Sequence, residues 1–159
     1  MHIFCDMDGV LADFTLGAAW VVGKVPPNKP MDFKCSNNVD SLFGPTTWAR
    51  IVSEGERFWD ELHTYPWTKD LWDLILEKSN GNAYILSDPG QRGLIASSGP
   101  AKHRWCKRHL GIEPDRIILT GGKAAVARKD AVLIDDKDSN IHEWSEAGGI
   151  FFSQSQPET

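Results

Sequence analysis

The 159-residue sequence predicts an α/β fold, with a mostly parallel sheet covered by helices on both faces and a small helical cap inserted after the first strand. Three features of the chain lead there. The runs HIFC (2–5), AYIL (83–86), RIIL (116–119) and AVLI (131–134) are apolar without alternation, as strands buried on both faces are. Helical patterns separate several of these runs, the order that builds parallel sheets. The first run ends at Cys5 and the next begins at Ala83, far more chain than a plain crossover needs. The core is therefore assigned to residues 1–13 and 80–153, the cap to 14–79 and a polar tail to 154–159.

HIFC leads into a turn that starts near Asp6 and contains Gly9. Residues 10–22 (VLADFTLGAAWVV) read as a helix or a loop entering one. Residues 24–39 carry three prolines and two adjacent asparagines, which is loop chemistry. Short helices are expected over 46–53 and 55–62, with a break at Pro66. In DLWDLILEK (70–78), Leu71, Trp72, Leu74, Ile75 and Leu76 fit a helix stopped by SNGN. AYIL ends in the turn Ser87-Asp88-Pro89-Gly90. AKHRWCKRHL (101–110) reads as a basic helix stopped at Gly111. RIIL leads into Thr120-Gly121-Gly122, and AVLI ends at Asp135-Asp136. A helix over 141–146 and a last strand at 150–152 follow. Five of the seven tryptophans (Trp20, Trp48, Trp59, Trp67 and Trp72) lie between the first two strands, which argues for a packed insert rather than a loop.

The totals set limits. Apolar residues make up 41% and charged residues 25%, enough apolar content for an ordinary core. The net charge of −5 and a pI of about 5.5 give no general surface for nucleic acid or acidic lipid. Cys5, Cys35 and Cys106 form no CxxC pair; their spacing argues against a disulfide framework or a thiolate zinc site and fits a reducing compartment. The start MHIFCDMDG has no signal-peptide pattern, and no apolar run approaches the ~20 residues of a membrane helix. The expected setting is the cytoplasm, with no membrane partner.

Ligands of open α/β sheets bind at the carboxyl ends of the strands. There the sequence places Asp6 and Asp8, Ser87, Thr120 followed by Lys123, and Asp135 with Asp136. Four carboxylates brought together repel unless something compensates. A hard cation does so, and Mg2+ takes oxygen ligands from carboxylates, phosphate and water. Lysine adds a point charge suited to phosphate, and a serine hydroxyl can donate to a phosphoryl oxygen. In regular strand Asp6 and Asp8 would face one side; a turn beginning here lets Asp8 swing away and leaves Asp6 facing the phosphorus. Taken singly, each residue has a plainer reading. DxD fits an Asx turn, Asp135-Asp136 a helix N-cap, Ser87 a turn, and Lys123 a solvated surface. The convergence of four strand ends is what favours a site.

DMDGVLADF, LSDPG, Lys123 and LIDD resemble, in order, the four motifs of the haloacid dehalogenase-like phosphohydrolases. Within that superfamily the likeness is closer to the 5'(3')-deoxyribonucleotidases, through DMDGVLADF, ILSDP, the Lys102 to Gly111 helix with its K-x-x-W start, IILTGGK and LIDD. The resemblance implies a three-layer Rossmann-like fold and magnesium-dependent hydrolysis of a phosphate monoester. Asp6 would be the nucleophile that forms an aspartyl-phosphate. Asp8 would protonate the leaving alcohol and then activate water, with its backbone carbonyl on the metal. Ser87 would hold a phosphoryl oxygen, Lys123 would neutralise charge, and Asp135 or Asp136 would complete the metal site. Dehalogenases of the superfamily lack the second aspartate, so Asp8 favours phosphate chemistry. Phe14 matches an aromatic that helps hold a base in the nucleotidases, and Trp48, Phe58 and Trp59 are candidates to complete the slot, with cap packing as the alternative.

Two departures bear on substrate. Asp88 stands where the family often has a small or hydroxyl residue, and its charge calls for a basic partner such as Arg92 or Lys102. The loop before the third-motif lysine reads TGG, which leaves Lys129 as a rival of Lys123. The leading substrate is a deoxynucleoside monophosphate. The alternatives are another small phosphate ester, or the terminal phosphate of a nucleic acid guided by the basic helix 102–109. A different class, a receiver-like phospho-acceptor or a degenerate binding protein, would keep the acidic residues and lose turnover.

Overall fold

The structure is a computed structural model that describes residues 1–24, 38–90 and 95–153. Cys35, Arg92 and the tail 154–159 lie outside the described residues, as does most of the proline-rich loop. The described residues form a five-stranded parallel sheet: β1 (His2–Cys5), β2 (Ala83–Ser87), β3 (Ile117–Leu119), β4 (Ala131–Asp135) and β5 (Ile150–Ser153), in spatial order β3-β2-β1-β4-β5. β1 is central, with Cys5 level with Ile85 on one side and Ile134 on the other. That position explains why HIFC is an uninterrupted apolar run.

Side-chain alternation along the strands divides the core into two layers. Ile3, Cys5, Ala83, Ile85 and Val132 pack with Trp72, Ile75 and Trp105 on one face. Phe4, Leu86 and Leu133 pack with Ile141 and Trp144 on the other. Trp105 and Trp144 are fully buried, and truncating either to alanine is worth about 3–5 kcal/mol. The helices that carry these residues are α5 (Thr68–Ser79) and α6 (Ile95–Leu110) on the first face and α7 (Asp138–Glu146) on the second. The α/β class and its three layers therefore stand as the sequence predicts.

Between β1 and β2 lie α1 (Phe14–Val21), α2 (Val39–Phe43), α3 (Thr47–Glu54) and α4 (Glu56–Asp60), then α5, which returns to rest on β1 and β2. Asp13 caps α1 by accepting the Leu16 N–H at 3.1 Å. The two ends of this stretch meet: Asp13 N–H donates to His63 O at 2.8 Å, and Ala12 and Thr64 form an antiparallel bridge. Trp67 Nε1 donates to Val10 O at 3.0 Å and Thr68 Oγ1 to Leu11 O at 2.6 Å, so the returning chain braces the turn after β1.

Some boundaries differ from the sequence reading. α6 begins at Ile95 rather than Ala101 and contains Pro100, which forgoes one helical bond near the start of the helix. Arg116 belongs to a 3-10 turn (Pro114–Arg116) before β3, and a second 3-10 turn spans Lys123–Val126. α2, short and weakly patterned, has no counterpart in the sequence reading.

Candidate active site at the strand ends

The chain leaves β1 outward through β2 to β3, then crosses to β4 on the other side of β1. The strand order reverses at β1, where such sheets open a crevice. Asp6 follows β1 directly, its N–H bonded to Ile134 O at 2.9 Å. The chain then turns sharply. Met7 O accepts the N–H groups of Val10, Leu11 and Ala12, and Gly9 takes φ +83°, a left-handed conformation that glycine adopts without strain.

This turn sends the two aspartates to different partners. Asp6, 8% exposed, has Oδ1 within 2.9 Å of the Met7 N–H and 3.0 Å of Lys123 Nζ. Lys123, buried in its 3-10 turn, also donates to Asp135 Oδ2 at 2.7 Å. Asp135 is fully buried at the end of β4. Its Oδ2 accepts Asn140 Nδ2 at 3.0 Å and its Oδ1 the Lys137 N–H at 2.9 Å. Half-buried Asp136 completes a group in which Asp6, Asp135 and Asp136 each offer an oxygen within 4.8 Å of the others.

Asp8 turns the other way. Its Oδ2 accepts Lys102 Nζ at 2.8 Å, while its Oδ1 is buried with no hydrogen-bond partner. Lys102 reaches in from α6 and is only 1% exposed. Its ammonium also donates to Ser87 Oγ at 2.9 Å and to Asp88 O at 2.7 Å, and it lies 4.9 Å from the centre of the Trp59 ring.

The electrostatics follow this division. Burial pushes the Asp6 carboxyl up to about 6 against the pull of Lys123. Burial, with the Asp6 and Asp135 charges, pushes Asp136 up to about 8. Burial alone would lower Lys123, but Asp6 and Asp135 outweigh it and hold the lysine above its ordinary range. Asp6 and Asp135 thus share one lysine, with Asp136 beside them. The all-oxygen donors and uncompensated charge fit a hard cation such as Mg2+.

The expected residues therefore separate as follows. Asp6, Lys123, Asp135 and Asp136 converge, and Asp8 and Ser87 converge on Lys102. Lys129 is exposed, whereas Lys123 contacts Asp6. The Asp88 side chain is exposed and accepts the Gly90 N–H at 2.8 Å; Lys102 meets its backbone carbonyl instead of its carboxylate. The three protons of Lys102 have three protein acceptors, leaving none for the substrate contact expected of it. Asn140 was missed. It is an asparagine in the first turn of α7, and only the folded register brings it to Asp135.

Phe14, Trp48, Phe58 and Trp59 come together. Phe14 lies 5.5 Å from Trp48, 5.6 Å from Phe58 and 5.8 Å from Trp59 between ring centres. Phe14, Phe58 and Trp59 are buried and Trp48 half-buried, so these rings also form the cap's core. The basic face of α6 is largely neutralised. Arg104 donates to Asp60 at 3.0 and 2.7 Å and to Glu56 at 2.7 Å, Arg108 donates to Asp60 O at 2.8 Å, and Lys107 pairs with Glu113. These contacts tie α4 to α6 and leave little charge to guide a polyanion.

The chain has the fold of the haloacid dehalogenase-like hydrolases. A hydrolase from Streptococcus pneumoniae TIGR4 superposes with a TM-score of 0.56 at 12% identity, covering 97% of this chain and 92% of its own. A HAD family hydrolase from Deinococcus radiodurans R1, with bound phosphate and sodium, gives a TM-score of 0.52 at 13% identity, covering 94% and 78%. In sequence, the chain is 28% identical over 149 residues to the cytosolic type of 5'(3')-deoxyribonucleotidase from Homo sapiens, covering 87% of this chain and 72% of that protein. No protein-family model matches. Among the described residues, no helix is long and apolar enough to cross a membrane.

Proposed function

We propose that the protein is a magnesium-dependent phosphomonoester hydrolase that acts on (deoxy)nucleoside monophosphates in the cytoplasm through an aspartyl-phosphate on Asp6. The observation that carries this reading is the separation of the two aspartates. Asp6 sits in a cation-deficient cluster with Lys123, Asp135 and Asp136, and Asp8 is held apart on Lys102. Similarity to the human nucleotidase supports the substrate class.

Asp6 and Asp136 would hold the ion through their carboxylates, and Asp8 through its backbone carbonyl. Asp135, its oxygens already engaged by Lys123, Lys137 and Asn140, fixes the cluster from behind. Bound magnesium supplies positive charge against the phosphoryl oxygens and the nucleophile. A carboxylate oxygen of Asp6 attacks phosphorus, and the bond from phosphorus to the ester oxygen breaks. Asp8 gives its proton to the leaving alkoxide. Asp8 then takes a proton from water as that water attacks phosphorus, and the bond to Asp6 breaks to release phosphate. Ser87 donates to a phosphoryl oxygen and Lys123 offsets charge. Within the expected insert, residues 14–79, α5 covers the sheet and the stretch before it forms the cap. Within it Phe14, Trp48, Phe58 and Trp59 provide the aromatic wall for a base, with exposed Asp88 at the rim.

The test is phosphate release from a panel of nucleoside and sugar monophosphates and an end-phosphorylated oligonucleotide, with and without magnesium. Nucleotides should be preferred and the metal required. Turnover of sugar phosphates alone would overturn the nucleotide assignment. Asp6→Asn should lower kcat by a factor on the order of 10⁴ or more. Full activity in that variant would remove Asp6 as nucleophile, and stable phosphorylation of Asp6 without turnover would favour a phospho-acceptor.

A further inference from the structure

We propose that Lys102 is a positioning residue: it aims the acid–base aspartate and the phosphate-holding serine together and binds no part of the substrate. This rests on the reading of Asp8 as the proton carrier. An ammonium has three protons, and those of Lys102 go to Asp8 Oδ2 at 2.8 Å, Ser87 Oγ at 2.9 Å and Asp88 O at 2.7 Å. With 1% of the residue exposed and the Trp59 ring 4.9 Å away, no solvent path competes for those bonds. Burying a lysine this completely is costly unless its partners are fixed.

Each bond has a directional consequence. Because Lys102 occupies Oδ2 of Asp8, the carboxyl is fixed in rotation and Oδ1 is the oxygen left without a partner. An unpaired buried carboxylate oxygen is unfavourable in the resting protein. When it carries the proton, Oδ1 donates to the ester oxygen of a substrate; once that proton has left, it accepts from the attacking water. Because Ser87 Oγ accepts from Lys102, the hydroxyl proton of Ser87 must point elsewhere and is available to a phosphoryl oxygen. One cation therefore sets the working oxygen of Asp8 and the donor direction of Ser87. It also links both to the cap, since Trp59 belongs to α4 and Lys102 to α6, the helices joined by Arg104 and Arg108.

The test compares two leaving groups on the magnesium-loaded enzyme. One is the best alkyl monophosphate from the panel, whose alkoxide needs a proton. The other is p-nitrophenyl phosphate, whose phenolate leaves without one. Compared as kcat/KM, which covers only the steps through departure of the alcohol and not the hydrolysis common to both esters, Asp8→Asn should slow the alkyl ester by about 10²–10⁴-fold and the aryl ester at least tenfold less. Lys102→Met should show the same preference, with both rates lowered and the alkyl ester lowered more. On the alkyl ester, the double variant should be worse than Asp8→Asn alone by no more than the loss that Lys102→Met shows on the aryl ester, because the acid–base part of the two losses is shared. Residual aryl-ester turnover reports that each variant is folded; should Lys102→Met not fold, Lys102→Gln, which keeps a donor without the charge, serves in its place. Equal losses on both esters, or losses that multiply in the double variant, would overturn the role of Lys102. Absence of any leaving-group preference in Asp8→Asn itself would instead remove the acid–base reading of Asp8.

Discussion

Two lysines, each almost fully buried, sit at the ends of the same sheet and serve opposite electrostatic purposes. Lys102 faces one carboxylate and two neutral acceptors, so its surroundings are nearly balanced. Lys123 stands between Asp6 and Asp135, with Asp136 beside them, so its surroundings keep an excess of negative charge. The Lys102 side is balanced in charge as it stands, with only Asp8 Oδ1 awaiting a partner. The Lys123 side is complete only when a further cation or a protonated carboxyl is added. A pair of carboxylates two residues apart thus becomes two different devices, because the turn after Asp6 sends them to different lysines.

This contrast can be broken or sharpened by substitution. The largest expected effect is that of Lys123→Met, which strands Asp6 and Asp135 together and should cost about 3–5 kcal/mol in denaturant unfolding of the metal-free protein. Added magnesium should return part of that loss. Lys102→Met strands a single carboxylate and should be less damaging, and magnesium should restore none of it. Equal rescue of both variants would erase the distinction.

Asp136→Asn should act in the opposite direction. Asp6 and Asp136 bind protons in the folded state up to about 6 and about 8, against an ordinary value of 3.8. The folded protein therefore holds more protons than the unfolded chain across this range. Their contribution to stability is fully present below about pH 4 and is lost as pH rises through those two values. The Tm of the metal-free protein should therefore fall as pH rises from about 4 to about 8 and level off above that. Magnesium should flatten that slope, as should Asp136→Asn, which should also abolish most of the rise in Tm on adding the metal. A pH-independent Tm in the metal-free wild type would contradict the excess charge inferred here. The smallest effect should come from Arg104→Ala. It removes exposed ion pairs between α4 and α6 and should leave Tm nearly unchanged, because exposed pairs contribute little.

Much of the Lys123 side was legible in the sequence. Asp6, Asp135 and Asp136 follow apolar strands, and strand ends of a parallel sheet converge by construction. The Lys102 side was not legible in the same way. Its central contact joins residues separated by 94 positions, between a loop and a helix, and no periodicity encodes that meeting. Lys102 was expected to serve the substrate or the Asp88 charge, yet the Asp88 carboxylate satisfies itself within its own turn through the Gly90 N–H. The early start of α6 was hidden by Gly99-Pro100, which locally argues against helix. Phe14, Trp48, Phe58 and Trp59 were expected as a group and do meet. Composition alone offered no means of telling a wall for a base from the packing of the cap.

The bridge between Ala12 and Thr64 bears on how such a protein can be rebuilt. The stretch from Asp13 to His63 leaves and re-enters the core at one point, held by two backbone contacts. A segment pinned at its base pays a closure entropy that grows only with the logarithm of its length, about 0.6 kcal/mol for each doubling. The bracing of the turn after β1 by Trp67 and Thr68 lies on the core side of that point. The bridge is therefore a splice junction. A foreign cap of quite different size can be grafted there without touching the residues that hold the turn, provided that it supplies its own cover for Lys102.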